Sequence, residues 1–259
     1  MQSPASRPQL LNKSEPCTIG SENSEFRSGS WSNARRVVLE ECAFHFGESG
    51  IFGFNSTLTG QGERRRELRQ VGVETHIEDV LETLWFEDID EVHLVLHSYA
   101  GILAGPIAER AVGRLSSITF LGAFLVRPGE CLLDVEPPDV AARYRQLATE
   151  KGDGWRLPAT SDFLEQWGIT DSALREAVGN RLTDFALACQ TQPVVYDPAS
   201  LDTVRKIYVR HTAPQMASLH RFWERAVSSG WQTEEIATGH DMMLQDPQST
   251  VDLLMQIAE

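Results

Sequence analysis

The chain has 259 residues, with 37 acidic and 23 basic side chains and a formal net charge of −14 at pH 7. This length suits a single α/β domain with an insertion. The acidic balance argues against a nucleic-acid or anionic-membrane partner. The four cysteines (Cys17, Cys42, Cys131 and Cys189) form no C-x-x-C pair and no His/Cys group at metal-ligand spacing. We therefore expect no bound metal, and reduced thiols of an intracellular protein.

The N-terminal region predicts a loosely ordered leader over residues 1–25, because it is rich in Ser, Pro, Asn and Glu. It has no apolar segment typical of a secretory signal. No stretch of the chain approaches the roughly 18 apolar residues of a membrane span. We therefore expect a cytoplasmic protein with no membrane association, whose folded domain comprises residues 26–259.

Strands and helices are predicted to alternate over the first half of this domain. The pattern of charged and apolar residues at Arg35–Phe46 suits a helix, and a capping box at Thr75–Glu78 begins another. Further predicted elements are strands at Gly50–Phe54, Val92–Leu96 and Ile118–Val126, and a helix at Gly101–Val112. This alternation predicts an α/β fold with a mostly parallel sheet flanked by helices on both faces.

The alternation of strands and helices is interrupted at about residues 128–200, where helical segments carry many aromatic residues. We interpret this segment as a small helical cap inserted between two strands of the sheet. The alternation then resumes, with strands at Lys206–Arg210 and Thr233–Ala237, a helix at Ser218–Ser228 and a C-terminal helix.

A candidate nucleophile is Ser98, in the sequence VHLVLHSYAG at residues 92–101. A buried strand that breaks sharply into a helix presents such a serine above the sheet, as in the G-x-S-x-G nucleophile elbow. Here Leu96 and Ala100 replace the two glycines, and we expect the Leu96 side chain to crowd the turn. The alternative is an ordinary turn serine.

The candidate base is His240. A serine hydroxyl needs a base to become nucleophilic, and histidine is suited to this at neutral pH. Of the seven histidines, only His240 follows the last predicted strand, in a Gly-His turn. That is the order expected of a serine, acid and histidine triad on a doubly covered sheet. The alternative is a histidine that caps a surface helix.

Four segments together resemble the α/β-hydrolase superfamily, in its esterase branch related to plant methylesterases and hydroxynitrile lyases. They are TLTGQGER, GVETHIEDVLETLWFEDIDEVHLVLHSYAG, FLGAFLVRPGECLLD and ATGHDMMLQDP, and the resemblance extends from about Ser28 to Ile257. It implies a Ser–His–acid triad, no cofactor, and a cap over an apolar pocket. It also implies an oxyanion hole made by the backbone amides of Ser30 and Tyr99.

The triad acid is missing where the resemblance would place it. Gly122 stands in FLGAF at the position where relatives carry an aspartate, and the segment Thr212–Gln215 after the next strand has no carboxylate. Glu130 and Asp134 are nearby in sequence, but nothing in the sequence assigns either to this role. Loss of the acid lowers the turnover of triad enzymes by about 10⁴.

The sequence therefore predicts an enzyme that cleaves a carboxylic ester or lactone of a small apolar or aromatic molecule through Ser98 and His240. Two alternatives stay open. One is a non-hydrolytic member that performs an elimination, cyclisation or lyase step in secondary metabolism, and the other is a catalytically inactive binding protein. The expected partner is a small-molecule substrate, and a homodimer is left open.

Overall fold

A computed structural model describes the backbone of residues 36–40 and 52–259, and side chains from Ser56 onward. These residues belong to one compact unit, Ala34–Glu259. The predicted leader at residues 1–25 lies outside the described part, as does Ser30.

The strands form a six-stranded parallel sheet in the order β2-β1-β3-β4-β7-β8 and a separate antiparallel pair, β5-β6. In chain order the strands are β1 (Arg36–Glu40), β2 (Phe52–Ser56), β3 (Val92–His97), β4 (Leu115–Leu121), β5 (Arg156–Leu157), β6 (Phe185–Ala186), β7 (Arg205–His211) and β8 (Gln232–Ile236). The structure thus confirms the predicted parallel sheet.

The described helices lie between the strands and after the last of them. They are α1 (Val73–Phe86), α2 (Ala104–Arg110), α3 (Leu132–Val135), α4 (Pro138–Lys151), α5 (Asp162–Gln166), α6 (Ser172–Gly179), α7 (Ala188–Thr191), α8 (Ala199–Asp202), α9 (His220–Ser228), α10 (Met242–Gln245) and α11 (Pro247–Ala258). Three 3₁₀ helices occupy Gly62–Gln70, Ser98–Leu103 and Ala217–Leu219.

Strand β3 shows that both faces of the sheet are covered. Successive side chains of a strand point to opposite faces. Leu94 and Leu96 join a buried cluster that contains Ile77 of α1, whereas Val95 joins a second cluster that contains Leu254 of α11. Burial on both faces explains why this strand reads as a continuous apolar run.

The predicted elements differ from the observed ones in type at one place and in their ends at others. Arg36–Glu40, within the helix predicted at Arg35–Phe46, is strand β1, and its Val-Val pair favours extended backbone. The helix predicted from the capping box begins at Val73, because the hydroxyl of Thr75 accepts a hydrogen bond from the amide of Gly72. Strand β4 ends at Leu121, before the predicted end at Val126.

The segment between β4 and β7 is the one interpreted above as a cap. It is described throughout and contains the six helices α3–α8 and the β5-β6 pair. Within the described part of the chain, no helix is long and apolar enough to cross a membrane.

The order of the strands decides which loops meet. Strands β3, β4 and β7 are consecutive neighbours and run parallel, so their carboxyl ends lie at one edge of the sheet. His97 ends β3, Gly122 directly follows β4, and His211 ends β7. Loops at this edge commonly form the ligand site of an open α/β sheet.

Candidate active site

Ser98 stands at a sharp strand-to-helix junction. Strand β3 ends at His97, and the 3₁₀ helix begins at Ser98 itself. Ser98 has φ +52°, in the left-handed region that non-glycine residues seldom occupy. Its side chain is half-buried. Such a strained residue persists only where the surrounding structure fixes it, and it holds the hydroxyl above the end of the sheet.

The turn is fixed by close packing against the chain that follows β4. The amide of Phe124 donates a hydrogen bond to the carbonyl of Ser98 at 3.0 Å. Gly101 is required at its position, because an added Cβ would lie 2.4 Å from the carbonyl oxygen of Phe124. Leu96, which we expected to crowd the turn, lies fully buried in the core, opposite Phe120 of β4.

His240 lies beside Ser98, in the loop between β8 and α10. Its Nε2 is 2.9 Å from the Oγ of Ser98, although the two residues are far apart in sequence. The amide of His240 donates to the carbonyl of Trp167 at 3.0 Å, which ties the loop to the end of α5. The ring is buried. In the tautomer that accepts the Ser98 hydroxyl proton, Nδ1 of His240 carries the hydrogen.

Two further histidines pack against His240. The His97 ring lies 4.6 Å from the His240 ring, centroid to centroid, and its Nε2 donates to the backbone carbonyl of His240 at 3.1 Å. The His211 ring lies 5.0 Å away in an edge-to-face arrangement. The three imidazoles form what we call the histidine cluster (His97, His211 and His240).

The histidine cluster is uncharged at neutral pH. Burial lowers the pKa of His97 and of His211 to about 4. Burial also holds the pKa of His240 well below its usual range, and the neighbouring His97 and His211 add to the effect. His240 is therefore in the neutral form that a general base needs, but its protonated form is poorly stabilised.

No carboxylate supports His240 among the residues that the structure describes. Its Nδ1 is buried without a hydrogen-bond partner. The carboxylate of Glu130 accepts from the amide of Arg127 at 2.7 Å, and that of Asp134 from the amide of Cys131 at 2.8 Å. Both side chains therefore stabilise local turns. Gly122 lies directly in front of His240, since a Cβ on it would be 3.4 Å from Nδ1.

Of the two predicted oxyanion donors, only Tyr99 is described. Its amide lies at the second position of the 3₁₀ helix, and helix N-termini direct N–H groups outward. The side chain is held elsewhere: its hydroxyl is 3.0 Å from Nδ1 of His76, and its ring is 5.0 Å from the Phe185 ring. The contribution of Ser30 stays a prediction.

Two aromatic residues of the segment between β4 and β7 contact Tyr99 and His240. Phe185 packs on Tyr99, beside the nucleophile. Trp167, whose carbonyl holds His240, stacks on Phe163 with ring centroids 5.6 Å apart. Both Trp167 and Phe185 are half-buried, so they can contact a bound molecule.

Sequence reasoning did not assign a role to His97 or His211. A signal existed for both, since each directly follows a predicted strand. A histidine in a strand is, however, also compatible with an ordinary core position. Only the neighbouring positions of β3, β4 and β7 reveal that these rings meet His240.

The model of the "Alpha/beta hydrolase family" matches residues 28–253. A relative from Nocardioides sp. (strain SG-4G), described as a carbendazim hydrolyzing esterase, is 28% identical over 209 residues, which cover 76% of this chain and 84% of the relative.

Solved structures share the fold at lower sequence identity. An extracellular alpha/beta-hydrolase from a Paenibacillus species superposes with a TM-score of 0.70 at 14% identity, covering 86% of this chain and 98% of that one. Tomato methylketone synthase I, complexed with 2-tridecanone, gives a TM-score of 0.68 at 15% identity, with coverage of 87% and 97%. At this identity the likeness concerns the fold alone.

Proposed function

This chain belongs to the alpha/beta hydrolase family, and from that premise we propose that it hydrolyses a carboxylic ester or lactone through Ser98 and His240. The observation that carries the proposal is the 2.9 Å contact between the Oγ of Ser98 and Nε2 of His240, made at a strained strand-to-helix turn. The relative described as an esterase supports the same reaction class.

The proposed reaction has two steps. Ser98 Oγ attacks the carbonyl carbon while Nε2 of His240 takes the hydroxyl proton, and the amides of Tyr99 and Ser30 stabilise the oxyanion. The alcohol leaves with the proton held by His240, and the acyl group stays on Ser98. Water, deprotonated by His240, then releases the acid and restores the serine. Side chains, backbone amides and water suffice for this chemistry.

We propose a small apolar or aromatic substrate. Phe185 and Trp167 present half-buried aromatic surface beside Tyr99 and His240, the two residues that flank the reacting serine. Apolar pockets with a few polar groups are typical of small-molecule sites. An ester whose acyl or alcohol part is a flat ring fits this surface better than a charged one.

A fluorophosphonate probe and a panel of p-nitrophenyl and aryl esters test the proposal. We expect covalent labelling of Ser98, and turnover that falls by at least about 10³ in Ser98→Ala and in His240→Ala. The exposed Ser229 and His220 provide matched controls, since Ser229→Ala and His220→Ala leave Ser98 and His240 unchanged. Absence of both labelling and turnover in the unmodified protein would contradict the proposal and favour a binding protein.

A second candidate is a non-hydrolytic elimination, cyclisation or lyase step. The observation in its favour is the buried Nδ1 of His240, which has no partner among the described residues. Without an acid, a Ser–His pair is better suited to moving a proton on an activated substrate than to hydrolysing a plain ester. Turnover in heavy-oxygen water separates the two: hydrolysis incorporates one labelled oxygen into the acid product, and the second candidate incorporates none.

A further inference from the structure

Two buried imidazole nitrogens face one position in the chain, Gly122. These are Nδ1 of His240 and Nδ1 of His211, and neither has a hydrogen-bond partner in the part of the chain that the structure describes. Both rings are at least 98% buried, with 2% and 1% of their surface exposed. Buried polar atoms without a partner are rare in folded proteins and often mark a bound water or ion.

Both nitrogens are hydrogen-bond donors. Nε2 of His211 accepts a hydrogen bond from the amide of Met216 at 3.0 Å, and an amide can only donate. The proton of neutral His211 must therefore be on Nδ1. Nε2 of His240 accepts the Ser98 hydroxyl in the form active as a base, so its proton is on Nδ1 too. Two N–H groups exclude a metal ion, which needs nitrogen lone pairs.

The two donors converge. A Cβ built on Gly122 would lie 3.1 Å from Nδ1 of His211 and 3.4 Å from Nδ1 of His240. The methyl carbon of Met242 lies 3.5 Å from the same point and bounds it with an apolar surface. An acceptor near this point can be reached by both rings, and glycine places no side chain there.

We propose that the space before Gly122 is a binding site for one small monocarboxylate of the formate or acetate class, held by the Nδ1–H groups of His211 and His240. Two carboxylate oxygens match two N–H donors, and an ionised carboxylate makes stronger hydrogen bonds than a neutral acceptor. The size follows from Gly122, which lacks the CH₂–COO⁻ group that an aspartate would place there. The apolar contact with Met242 excludes a second charged group.

A catalytic consequence rests on the proposed function. A carboxylate on Nδ1 of His240 stabilises the imidazolium that forms when Nε2 takes the Ser98 proton, and it fixes the productive tautomer. A bound monocarboxylate therefore takes the place of the triad acid. The anion is not consumed, and no bond to it forms or breaks.

Binding is tested without reference to activity. Nitrogen-15 histidine spectra of the full chain are recorded while sodium pivalate is replaced by sodium formate at constant total salt. We expect a saturable shift of the Nδ1 resonances of His211 and His240, with the exposed His220 unchanged. Pivalate is a carboxylate of equal charge that is too bulky for the site. No saturable shift, or the same shift with pivalate, would overturn the inference.

Variants locate the site. Gly122→Ala places a methyl group at the position in front of both Nδ1 atoms and should abolish the formate shift. If this variant does not fold, two matched variants of His211 provide the test. His211→Gln keeps an acceptor near Nε2 for the Met216 amide and removes the Nδ1 donor, whereas His211→Asn keeps a donor near Nδ1. Formate binding should weaken in the first and persist in the second. Unchanged binding in Gly122→Ala and His211→Gln would overturn the assignment.

Hydrolysis rates with and without formate distinguish a failure of this inference from a failure of the proposed function. Formate should accelerate hydrolysis of p-nitrophenyl acetate by about 10-fold or more, a part of the roughly 10⁴ that a triad acid contributes. Ser98→Ala gives the background of formate-catalysed hydrolysis. A shift without acceleration supports the site and contradicts hydrolysis through His240. Ser98-dependent turnover with no formate shift overturns the inference and leaves the proposed function in place.

Discussion

The imidazole of His97 donates a hydrogen bond from Nε2 to the backbone carbonyl of His240, at 3.1 Å. The residue directly before the candidate nucleophile thus holds the loop that carries the candidate base. This bond joins the end of β3 to the loop after β8, so it fixes the distance between Ser98 and His240 from the backbone side.

Loss of this bond should slow turnover by a positioning effect. His97→Leu removes the donor and should lower kcat about 10-fold, which corresponds to about 1.4 kcal/mol, with little change in KM. His97→Gln keeps a donor at the same reach and should restore most of the rate. Steady-state kinetics on p-nitrophenyl acetate measure both, with His220→Leu as the surface control. Equal rates for the two His97 variants would contradict a role of the hydrogen bond.

Restoring an acid at Gly122 should raise the rate of ester hydrolysis. A Cβ at this position faces Nδ1 of His240 at 3.4 Å, and φ is +52°, which aspartate tolerates better than most residues. We expect Gly122→Asp to increase kcat at least about 10-fold, as a part of the roughly 10⁴ due to a triad acid. Gly122→Asn provides a control of similar shape without charge. No gain in the aspartate variant would favour the non-hydrolytic reaction.

Stability should fall in mild acid because of the histidine cluster. Burial lowers the pKa of His97 and His211 to about 4 and that of His240 well below its usual range. Between the ordinary value of about 6.5 and about 4, the unfolded chain binds more protons than the folded one. The free energy of unfolding therefore decreases with falling pH, by up to about 1.4 kcal/mol per pH unit for each histidine.

Urea unfolding of His97→Gln at several pH values checks this contribution. The variant keeps the donor to His240 and removes one titrating group, so its free energy of unfolding should depend less steeply on pH below about 6.5. The exposed His220, substituted in the same way, should leave the slope unchanged. The same pH dependence in both variants and in the unmodified chain would contradict the prediction. It would show that the pKa of His97 is the same in the folded and unfolded states.

Glu136 should destabilise the fold at alkaline pH. Its side chain is buried, one carboxylate oxygen has no partner among the described residues, and burial raises its pKa to about 7. The unfolded carboxyl ionises near its ordinary pKa of about 4.3, so stability is lost as pH rises through about 7. Glu136→Gln should raise the free energy of unfolding by up to about 3 kcal/mol at about pH 8.

The gain in Glu136→Gln should be nearly absent at about pH 4, where the Glu136 side chain is fully protonated in the folded state and mostly protonated in the unfolded state. Thermal and urea unfolding at the two pH values measure the difference. Glu176→Gln, on the exposed face of α6, is the control. A gain of equal size at both pH values would indicate a packing effect rather than ionisation.

The sequence by itself determined the sheet and the two candidate catalytic side chains. The apolar run Val92–Leu96 predicts a strand buried on both faces, and this is observed because helices cover both. Ser98 and His240 could be named from local patterns, since Ser98 directly follows a strand and His240 stands in the loop after the last strand. The first residue of α1 and the element at Arg36–Glu40 were less predictable, because short segments take the structure that packing favours.

Only the tertiary structure decided what surrounds His240. His97, Gly122 and His211 lie at the carboxyl ends of three strands that are distant in sequence and adjacent in the sheet. A strand order is set by packing of the whole domain, and no local pattern encodes it. The sequence could show that Gly122 lacks a carboxylate. Only the arrangement of β3, β4 and β7 brings two buried N–H donors to that glycine, because parallel neighbours end at the same edge.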